Sequence, residues 1–340
     1  MDRRRALKLM ISTVSIMVSP ALMGINLNNN PMKKDSIDRV KSEGLKVNLG
    51  NISFYIFSDG YMSIDKPQPT FAPAISSSDF MVEIQKFHPT KKAIDLAINV
   101  MLIKVQEKII LIDAGMGNHF GENQGWLLNN IENAGISRES ITDILITHAH
   151  RDHIGGLITN EGTIVYPNAK YHIAKEEYDF WMSDNPDFSN SKLTVEQRNT
   201  TINFTKKVLN RIKEKIVSFH PGETLFTVIQ TELAAGHTPG HTIFTISSEG
   251  KSVKNIVDIF HAPLLISNPE WGIVFDVNFE QAIRTRKQVL EDCFKNKQLV
   301  MSSHLPWPGL GYIDKRDKYY WDPIYYYMPN EINLGSDIQN

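Results

Sequence analysis

The sequence has 340 residues, of which 41% are hydrophobic, and this is enough apolar material for a sizeable folded core. Its 36 Lys and Arg residues are nearly balanced by 38 Asp and Glu residues, so the chain lacks the positive field that attracts nucleic acid. The only cysteine, Cys293, has no intramolecular disulfide partner, and we interpret it as a packed helix residue. The composition therefore predicts a globular protein that binds no nucleic acid.

Residues 1–24 have the order of charge and hydrophobicity that is typical of an export signal. A basic start over residues 3–8 precedes a short apolar run over residues 9–18. That run is too short to span a bilayer as a mature helix, so we expect no mature transmembrane segment. Cleavage after Ala21 fits the small-residue rule for signal peptides, and an uncleaved membrane anchor is the alternative.

The basic start also resembles a twin-arginine (Tat) signal, with Arg3 and Arg4 as the pair. Ala6 and Asp2 stand where that pattern usually has other residues, and a general secretion signal is the alternative interpretation. Twin-arginine export moves folded proteins, which suits a protein that acquires a metal before it leaves the cytoplasm. We therefore expect an exported protein in the bacterial periplasm.

A polar arm without aromatic residues is predicted over residues 25–44, followed by one domain over residues 45–340. Residues 45–60 and 97–115 are rich in apolar and β-branched residues, and each range predicts two strands. Between them, the proline-bearing segment 61–90 is interpreted as a long irregular loop that covers a site or an oligomer surface.

Later in the chain, apolar runs repeatedly end at polar residues that can bind metals. The runs lead into His148, His237, Asp258 and His304. Residues 278–297 between the last two predict an amphipathic helix that begins at an Asn N-cap. Strands and helices alternate without an internal repeat, so the fold class is α/β, with the polar residues at one rim of a sheet.

The stretch "THAHRDHIGG" at residues 147–156 crowds His148, His150, Asp152 and His153 into six positions. Imidazole and carboxylate groups are the ligands that suit zinc and similar divalent ions, with four or five around each ion. Four ligands cannot fill two ions, and the residues that end the later apolar runs would supply the remainder. The spacing therefore indicates a metal site assembled from several loops.

This constellation resembles the metallo-β-lactamase superfamily across about Val47 to Tyr320. The resemblance implies an αββα sandwich of two mixed sheets flanked by helices. It also implies two divalent ions, with zinc favoured and manganese, cobalt or iron as alternatives. Carried over by position, the ligands are His148, His150 and His237 for the first ion, Asp152, His153 and His304 for the second, and Asp258 as the bridge. The family pattern further implies that Asp113 orients a ligand histidine and that His241 supports the site without binding metal.

Several branches of the family are excluded by particular positions. Asp258 argues against the true β-lactamases, His150 stands where flavodiiron reductases have Glu, and the chain after His304 is too short for the helical domain of glyoxalase II. The closest resemblance is to methyl parathion hydrolase and the quorum-quenching lactonases. It is carried by "HTPGHT", "NPEWGIVFDVN", "HLPWPGLGYI" and "YHIAKEEYDFW".

The resemblance implies a hydrolase of lactones, esters or phosphotriesters, with lactones favoured. Its nucleophile would be a hydroxide between the two ions, and Asp152 would donate a proton to the leaving group. The alternatives are a mononuclear iron oxidoreductase of the persulfide dioxygenase type, built on His148, His237 and Asp258, and a thioester hydrolase. A non-catalytic binding protein is disfavoured because no ligand of the family pattern is missing.

Four side chains are candidates for the wall of a small-molecule pocket, each weighed against simple core packing. They are His119, Phe120, Trp181 and Trp307, and an aromatic wall would favour an apolar acyl chain or an aryl ester. His261 fits equally a supporting role or the pocket edge.

The remaining histidines have no context that indicates a site, and we interpret them as surface or packing residues: His88, His172 and His220. The resemblance also implies a homodimer through segment 61–90.

Overall fold

The computed structural model describes residues 42–87, 93–326, 328 and 330–334. The predicted export signal, most of the predicted arm and His88 lie outside these residues. All of the described residues belong to one compact unit. Within them, no helix combines the length and the apolar character that crossing a bilayer would require.

The described chain contains fifteen strands in two sheets. In chain order they are β1 (Leu45–Leu49), β2 (Ile52–Ile64), β3 (Ile94–Val105), β4 (Lys108–Ile112), β5 (Asp143–Ile146), β6 (Lys170–Ala174), β7 (Ile216–Phe219), β8 (Thr224–Leu225), β9 (Ile229–Leu233), β10 (Thr242–Ser248), β11 (Lys251–Val257), β12 (Val300–Ser302), β13 (Leu310–Lys315), β14 (Tyr319–Pro323) and β15 (Glu331–Asn333). The first sheet has the order β15-β1-β2-β3-β4-β5-β6-β7, and the second has the order β14-β13-β12-β11-β10-β9-β8. Both sheets are mixed, since β4, β5, β6 and β7 pair in parallel in the first and β11 pairs in parallel with β12 in the second.

Helices join these strands in the described chain. They are α1 (Pro67–Phe71), α2 (Ser77–Phe87), α3 (Leu127–Asn133), α4 (Arg151–Ile154), α5 (Lys175–Met182), α6 (Val195–Ile212), α7 (Pro263–Ser267) and α8 (Phe279–Lys295). The last of them begins as the sequence predicts, because the side chain of Asn278 accepts a hydrogen bond from the backbone N–H of Gln281. Cys293 is buried in this helix, also as predicted.

Three hydrophobic clusters define four layers. One cluster lies between the two sheets and joins side chains such as Phe54 of β2 and Phe244 of β10. A second joins the outer face of the first sheet to α3, α5 and α6, and a third joins the second sheet to α7 and α8. This is the αββα sandwich that the sequence resemblance predicts.

The prediction of an irregular loop over residues 61–90 is wrong for the residues that are described. Strand β2 continues to Ile64, and two helices, α1 and α2, follow before Phe87. The prolines misled the interpretation: Pro67 stands in the first turn of α1, where its missing N–H costs no helical hydrogen bond. The exposed side chains of Met81 and Val82 lie on α2, and dimerisation through this segment stays a prediction.

Candidate metal centre

The stretch from Thr147 to Gly156 turns sharply out of β5 into α4. Thr147 donates its backbone N–H to the Asp113 carboxylate at 2.9 Å, which fixes the end of the strand. The turn also needs glycine at position 156, because a Cβ there would lie 2.0 Å from the carbonyl oxygen of Ala114. The histidines therefore project from a backbone that is held on both sides.

A first group of three histidines meets across the edge of the two sheets. His148 and His150 follow β5 of the first sheet, while His237 lies between β9 and β10 of the second. One ring nitrogen from each lies within 4.8 Å of the others, and Nδ1 of His150 is 2.9 Å from Nε2 of His237. This spacing suits three ligands of one ion.

A second group adds two carboxylates. Asp152 and His153 belong to α4, Asp258 follows β11, and His304 follows β12. Their ligand atoms also lie within 4.8 Å of one another, with Nε2 of His304 at 3.3 Å from Oδ2 of Asp152. The structure thus brings together all seven residues that the resemblance names as ligands.

Asp258 lies between the two groups. Its Oδ2 is 3.6 Å from Nε2 of His148 and 3.3 Å from Nε2 of His237, and its Oδ1 is 3.2 Å from Nε2 of His153. The preceding residue, Val257, has a φ of 48°, a conformation that a β-branched residue rarely adopts. The backbone is therefore strained at the end of β11, directly before the residue whose carboxylate points into the centre.

The chemistry of these side chains fits a metal centre. Within the described residues, three buried ligand atoms have no hydrogen-bond partner: Nε2 of His148, Nε2 of His153 and Oδ1 of Asp258. Buried polar atoms are rarely left unpaired, and here all three face the same cluster of imidazoles and carboxylates. Divalent ions on the two groups would satisfy them.

The ionisation states of His148 and His150 support the same conclusion. Burial lowers the pKa values of His148 and His150 well below 6.5, which keeps both rings neutral and able to bind a metal. At His237 and His304, by contrast, burial is outweighed by the neighbouring carboxylates, led by Asp258, which raise the pKa to about 9 and about 10, so that a metal must displace protons there. Burial opposes ionisation of Asp258, but the neighbouring histidines, led by His153, outweigh it and hold its pKa well below the usual range.

Three of the ligand imidazoles have a second contact that fixes their orientation. Nδ1 of His153 donates to Oδ2 of Asp113 at 2.7 Å, as the family pattern implies for that carboxylate. Nδ1 of His304 donates to the carbonyl of Ala97 at 2.7 Å, and Nδ1 of His237 lies 2.8 Å from Oδ1 of Asp276. These contacts select the tautomer in which Nε2 is free for a metal.

His241 lies beside the centre without joining a ligand group. Its Nδ1 donates to the carbonyl of Ala234 at 3.2 Å, so its Nε2 can accept the backbone N–H of Asp258 at 3.4 Å. Burial lowers its pKa to about 3, which keeps this ring neutral. The geometry thus gives His241 a role in positioning Asp258.

Sequence reasoning missed two buried residues that support His237. Asp276 is fully buried, and its Oδ2 lies 3.5 Å from the guanidinium of Arg286 in α8. Arg286 also donates to the carbonyls of Ile259 and Trp271. Asp276 lies in "NPEWGIVFDVN", one of the stretches that carry the resemblance, and just before the predicted helix, but neither signal reveals a partner 39 residues away.

His261, whose role the sequence leaves open, lies at the centre. Its Nε2 is 3.2 Å from Oδ2 of Asp258, and its ring stacks on that of His304 at 5.1 Å. Together with His237 and Asp258 it forms a third group that could bind an ion. His261 therefore lies at the centre beside both ligand groups, with its Nε2 directed at Asp258.

The four predicted pocket residues have different surroundings. Nε2 of His119 donates to the carbonyls of Gly155 and Ile158, and its ring packs with Phe120. Trp181 is fully buried with its ring 5.7 Å from that of His150. Trp307 is exposed, and among the described residues no ring contact joins it to the other three.

The two other histidines within the described residues lie away from the ligand groups. His172 is buried and lies 2.9 Å from Asp143, a packing role within the first sheet. His220 is exposed, with its ring 3.5 Å from Glu176 and its backbone N–H donating to Glu223 at 3.0 Å. Both positions agree with the interpretation of these histidines as surface or packing residues.

The loop that carries His119 and Phe120 is held by Asp59 of β2. Its buried carboxylate accepts the backbone N–H groups of Met116 at 2.7 Å and Leu127 at 2.9 Å. Burial raises the pKa of Asp59 to about 7, against the opposing effect of these hydrogen bonds. Between pH 3.8 and about 7 the folded state therefore keeps a proton that the unfolded state has released, and stability falls as pH rises.

We expect Asp59→Asn to remove this dependence, because asparagine stays neutral. From pH 4 to pH 8 the free energy of unfolding of the variant should rise relative to the unsubstituted protein by up to about 4 kcal/mol. Urea denaturation of the metal-free proteins across this range measures the difference. Asp65→Asn, the same exchange at an exposed position, is the control, and parallel profiles for Asp59→Asn would contradict the assignment.

Comparisons with known proteins agree with this fold and centre. Residues 93–253 match the family model of the metallo-beta-lactamase superfamily. The chain is 35% identical to the solved structure of AidC, a dizinc quorum-quenching lactonase, covering 85% of this chain and 99% of that one with a TM-score of 0.81. It is 26% identical to hydrolase AbOPH in the beta lactamase superfamily, covering 84% and 99% of the two chains with a TM-score of 0.77.

Among curated proteins, a match to Integrator complex subunit 11 of Gallus gallus is 25% identical over 176 residues, which is 49% of this chain and 28% of that protein. This match therefore spans less than a third of that relative and concerns a shared portion only. The similarity to AidC, by contrast, extends over nearly the whole of a solved chain. With the matched family model and the αββα fold, it shows that the protein belongs to the metallo-beta-lactamase superfamily and is a metal-dependent hydrolase.

Proposed function

We propose that the protein is an exported dinuclear hydrolase that opens lactone rings. The observation that carries this proposal is the position of Asp258, which belongs to the second ligand group and whose Oδ2 also lies 3.6 Å from Nε2 of His148 and 3.3 Å from Nε2 of His237 in the first. The similarity to AidC, a dizinc lactonase, supports both the number of ions and the substrate class. Export rests on the order of charged and apolar residues at positions 1–24.

Two bound divalent ions would lower the pKa of a shared water and polarise the carbonyl group of the substrate. The chain's own part is to fix the ligands: Asp113 orients His153, Asp276 orients His237, and the backbone of Ala97 orients His304. These contacts set the geometry before substrate arrives.

Asp152 has the position for a proton transfer. Burial favours its neutral form, but His153 and His304 outweigh this and lower its pKa, so Asp152 is ionised at neutral pH. A carboxylate in this state can give a proton to the leaving alkoxide only after receiving one from the attacking water. We propose that Asp152 performs both transfers in turn.

An aromatic cluster near α4 would take the apolar part of the substrate. Phe120 and Phe204 lie 5.3 Å apart by ring centroids, and the guanidinium of Arg151 lies 4.9 Å from the ring of Phe120. Phe120 and Arg151 are exposed, so the cluster is open to solvent. An acyl chain of a lactone fits such a surface.

The second ligand group also bears on the competing assignment to a mononuclear iron oxidoreductase. A single ion on His148, His237 and Asp258 would leave Nε2 of buried His153 unpaired. Two ions give that nitrogen a partner, which favours the dinuclear hydrolase. Metal analysis and oxygen uptake would separate the two classes.

The proposal is tested with protein recovered from the periplasmic fraction, its N-terminus sequenced and its native metal retained. We expect two ions per chain and hydrolysis of acyl-homoserine lactones in a panel that includes aryl esters, thioesters and phosphotriesters. His148→Ala should lower kcat/KM by more than about 100-fold and release metal, since losing a ligand costs more than losing its supporting contact. His220→Ala, an exposed histidine, should leave both unchanged.

Three results would reject the proposal. They are one iron per chain with oxygen uptake, no hydrolysis of the acyl-homoserine lactones, or retention of both metal and activity by His148→Ala. An intact N-terminus on protein in the cytoplasmic fraction would reject export alone.

A further inference from the structure

Glu177 is a fully buried carboxylate in the first turn of α5. The groups that contact its two oxygens are hydrogen-bond donors. Its Oε1 accepts the backbone N–H of Ala149 at 2.8 Å and the indole Nε1–H of Trp181 at 2.6 Å. Its Oε2 accepts the Thr238 hydroxyl at 2.6 Å and the backbone N–H of Gly240 at 3.0 Å. Four donors and two oxygens match the ionised side chain.

The two oxygens reach different ligand loops. Ala149 lies between His148 and His150, so Oε1 fixes the peptide that joins two ligands from the first sheet. On the other side, the carbonyl of Ala149 accepts a hydrogen bond from the hydroxyl of Thr205 in α6 at 2.8 Å. Thr238 directly follows His237, so Oε2 fixes the ligand loop of the second sheet.

The second loop also packs directly against the backbone of α5. A Cβ at Gly240 would lie 2.3 Å from the backbone nitrogen of Glu177, which only glycine avoids. The two loops are therefore linked through the Glu177 side chain and this close backbone contact, in addition to the hydrogen bond from the backbone N–H of Thr242 to the carbonyl of Thr147 at 3.0 Å. All three residues of the first ligand group depend on the distance between the two loops.

The charge of Glu177 also lacks an ordinary partner. Burial raises its pKa and four hydrogen bonds oppose that rise, and the four donors that contact it are all uncharged. A buried negative charge without a cation is costly. Dications on the neighbouring ligand group would supply the missing positive charge.

We propose that Glu177 is a positioning residue for the first metal ion, setting the separation between the His148–His150 loop and the His237 loop. The proposal rests on the proposed function only for the ligand set of that ion. A residue of this kind acts through the ligands, so its removal weakens binding of the first ion more than the second.

Glu177→Gln tests the proposal because glutamine keeps the size and loses one acceptor. In either amide orientation one oxygen serves two donors, and the amide NH₂ faces an N–H group that cannot accept. One ligand loop is then no longer fixed. We expect zinc to leave the first group of the purified full-length protein at a chelator concentration about 10- to 100-fold lower than for the unsubstituted protein.

Glu176→Gln is the matched control, since the neighbouring glutamate is exposed and its carboxylate faces His220 at 3.5 Å, away from the ligand loops. It should leave zinc release unchanged. Combining Glu177→Gln with a ligand substitution then shows which ion is affected. The easier zinc release should persist in combination with His304→Ala, which keeps the first ligand group, and should vanish in combination with His148→Ala, which has already lost that group. An equal effect in both combinations would show a general loss of stability and overturn the proposal.

A second pair of variants covers the case in which Glu177→Gln does not fold. Thr238→Val removes the hydroxyl at nearly constant size, and Thr238→Ser restores it. We expect easier zinc release from the valine variant and nearly normal release from the serine variant. Equal release from both, unchanged release from Glu177→Gln, or no zinc on the first group of the unsubstituted protein would overturn the proposal.

These measurements need no substrate, so they separate the two proposals. Altered zinc release without any lactone hydrolysis would remove the proposed substrate and keep the role of Glu177. Lactone hydrolysis with unchanged zinc release would do the reverse.

Discussion

Asp258→Asn is expected to release both metal ions and to lower kcat/KM by at least about 1000-fold, since the ions together supply several kcal/mol of transition-state stabilisation. The reason is the position of the carboxylate. Its Oδ2 lies 3.2 Å from Nε2 of His304 and 3.3 Å from Nε2 of His237, and its Oδ1 lies 3.2 Å from Nε2 of His153. Asparagine has the same shape but no charge, and its NH₂ group cannot bind a metal. Metal analysis after gel filtration and steady-state kinetics measure the two effects.

Two further substitutions show whether the loss of metal depends on how many ligands the substituted carboxylate contacts. Asp276 contacts one of the ligands, His237. Asp276→Asn should therefore weaken binding of the first ion by about 10- to 100-fold and leave binding of the second unchanged. Asp292→Asn, at a half-exposed position paired with Lys254, should change neither. If Asp258→Asn kept both ions, the shared position of this carboxylate would not be a metal bridge.

Arg286→Met is expected to lower the free energy of unfolding by about 3–5 kcal/mol, because it leaves one member of a buried ion pair without its partner. The guanidinium and the carboxylate of Asp276 are both buried and lie 3.5 Å apart. Methionine keeps the apolar stem but loses the donors to the carbonyls of Ile259 and Trp271. Urea denaturation of the metal-free protein measures the change.

Arg284→Met provides the control in the same helix, because Arg284 is exposed and its loss should change stability by no more than about 0.5 kcal/mol. A second measurement tests the link to the centre. Without Arg286, Asp276 is less firmly placed, so zinc release from the first group should become easier. Equal stabilities of the two methionine variants would contradict the ion-pair argument.

The ligand residues were predictable because their chemistry and their positions coincide. His148, His150, Asp152 and His153 stand in one short stretch, and few functions other than metal binding need that pattern. His237, Asp258 and His304 each follow an apolar run, and the ends of neighbouring strands meet at one edge. The fold followed from the resemblance that these residues carry.

The supporting residues could not be predicted in the same way. Glu176 and Glu177 are adjacent and chemically identical, yet one is exposed and the other accepts four hydrogen bonds. Their difference depends on which face of α5 packs against loops from distant parts of the chain. Asp59 and Arg286 likewise depend on long-range packing that local sequence patterns do not contain.

Segment 61–87 shows a different limit. Its prolines and short apolar stretches resemble a loop, but Pro67 occupies a helix start, where proline is favoured. The two short helices pack Phe71 and Phe80 into the cluster of the second sheet. Tertiary packing therefore decided a structure that local preference left ambiguous.

The placement of ligands on both sheets has a mechanical consequence. His148 and His150 extend from one layer of the sandwich and His237 from the other, while the second group divides as Asp152 and His153 against Asp258 and His304. Each ion would therefore act as a staple across the open edge of the sandwich, and the second would close a chain segment of 152 residues, from Asp152 to His304. The atoms that would activate water would then also keep the two layers in register, and resistance to unfolding and catalytic competence would be gained or lost with the same ions.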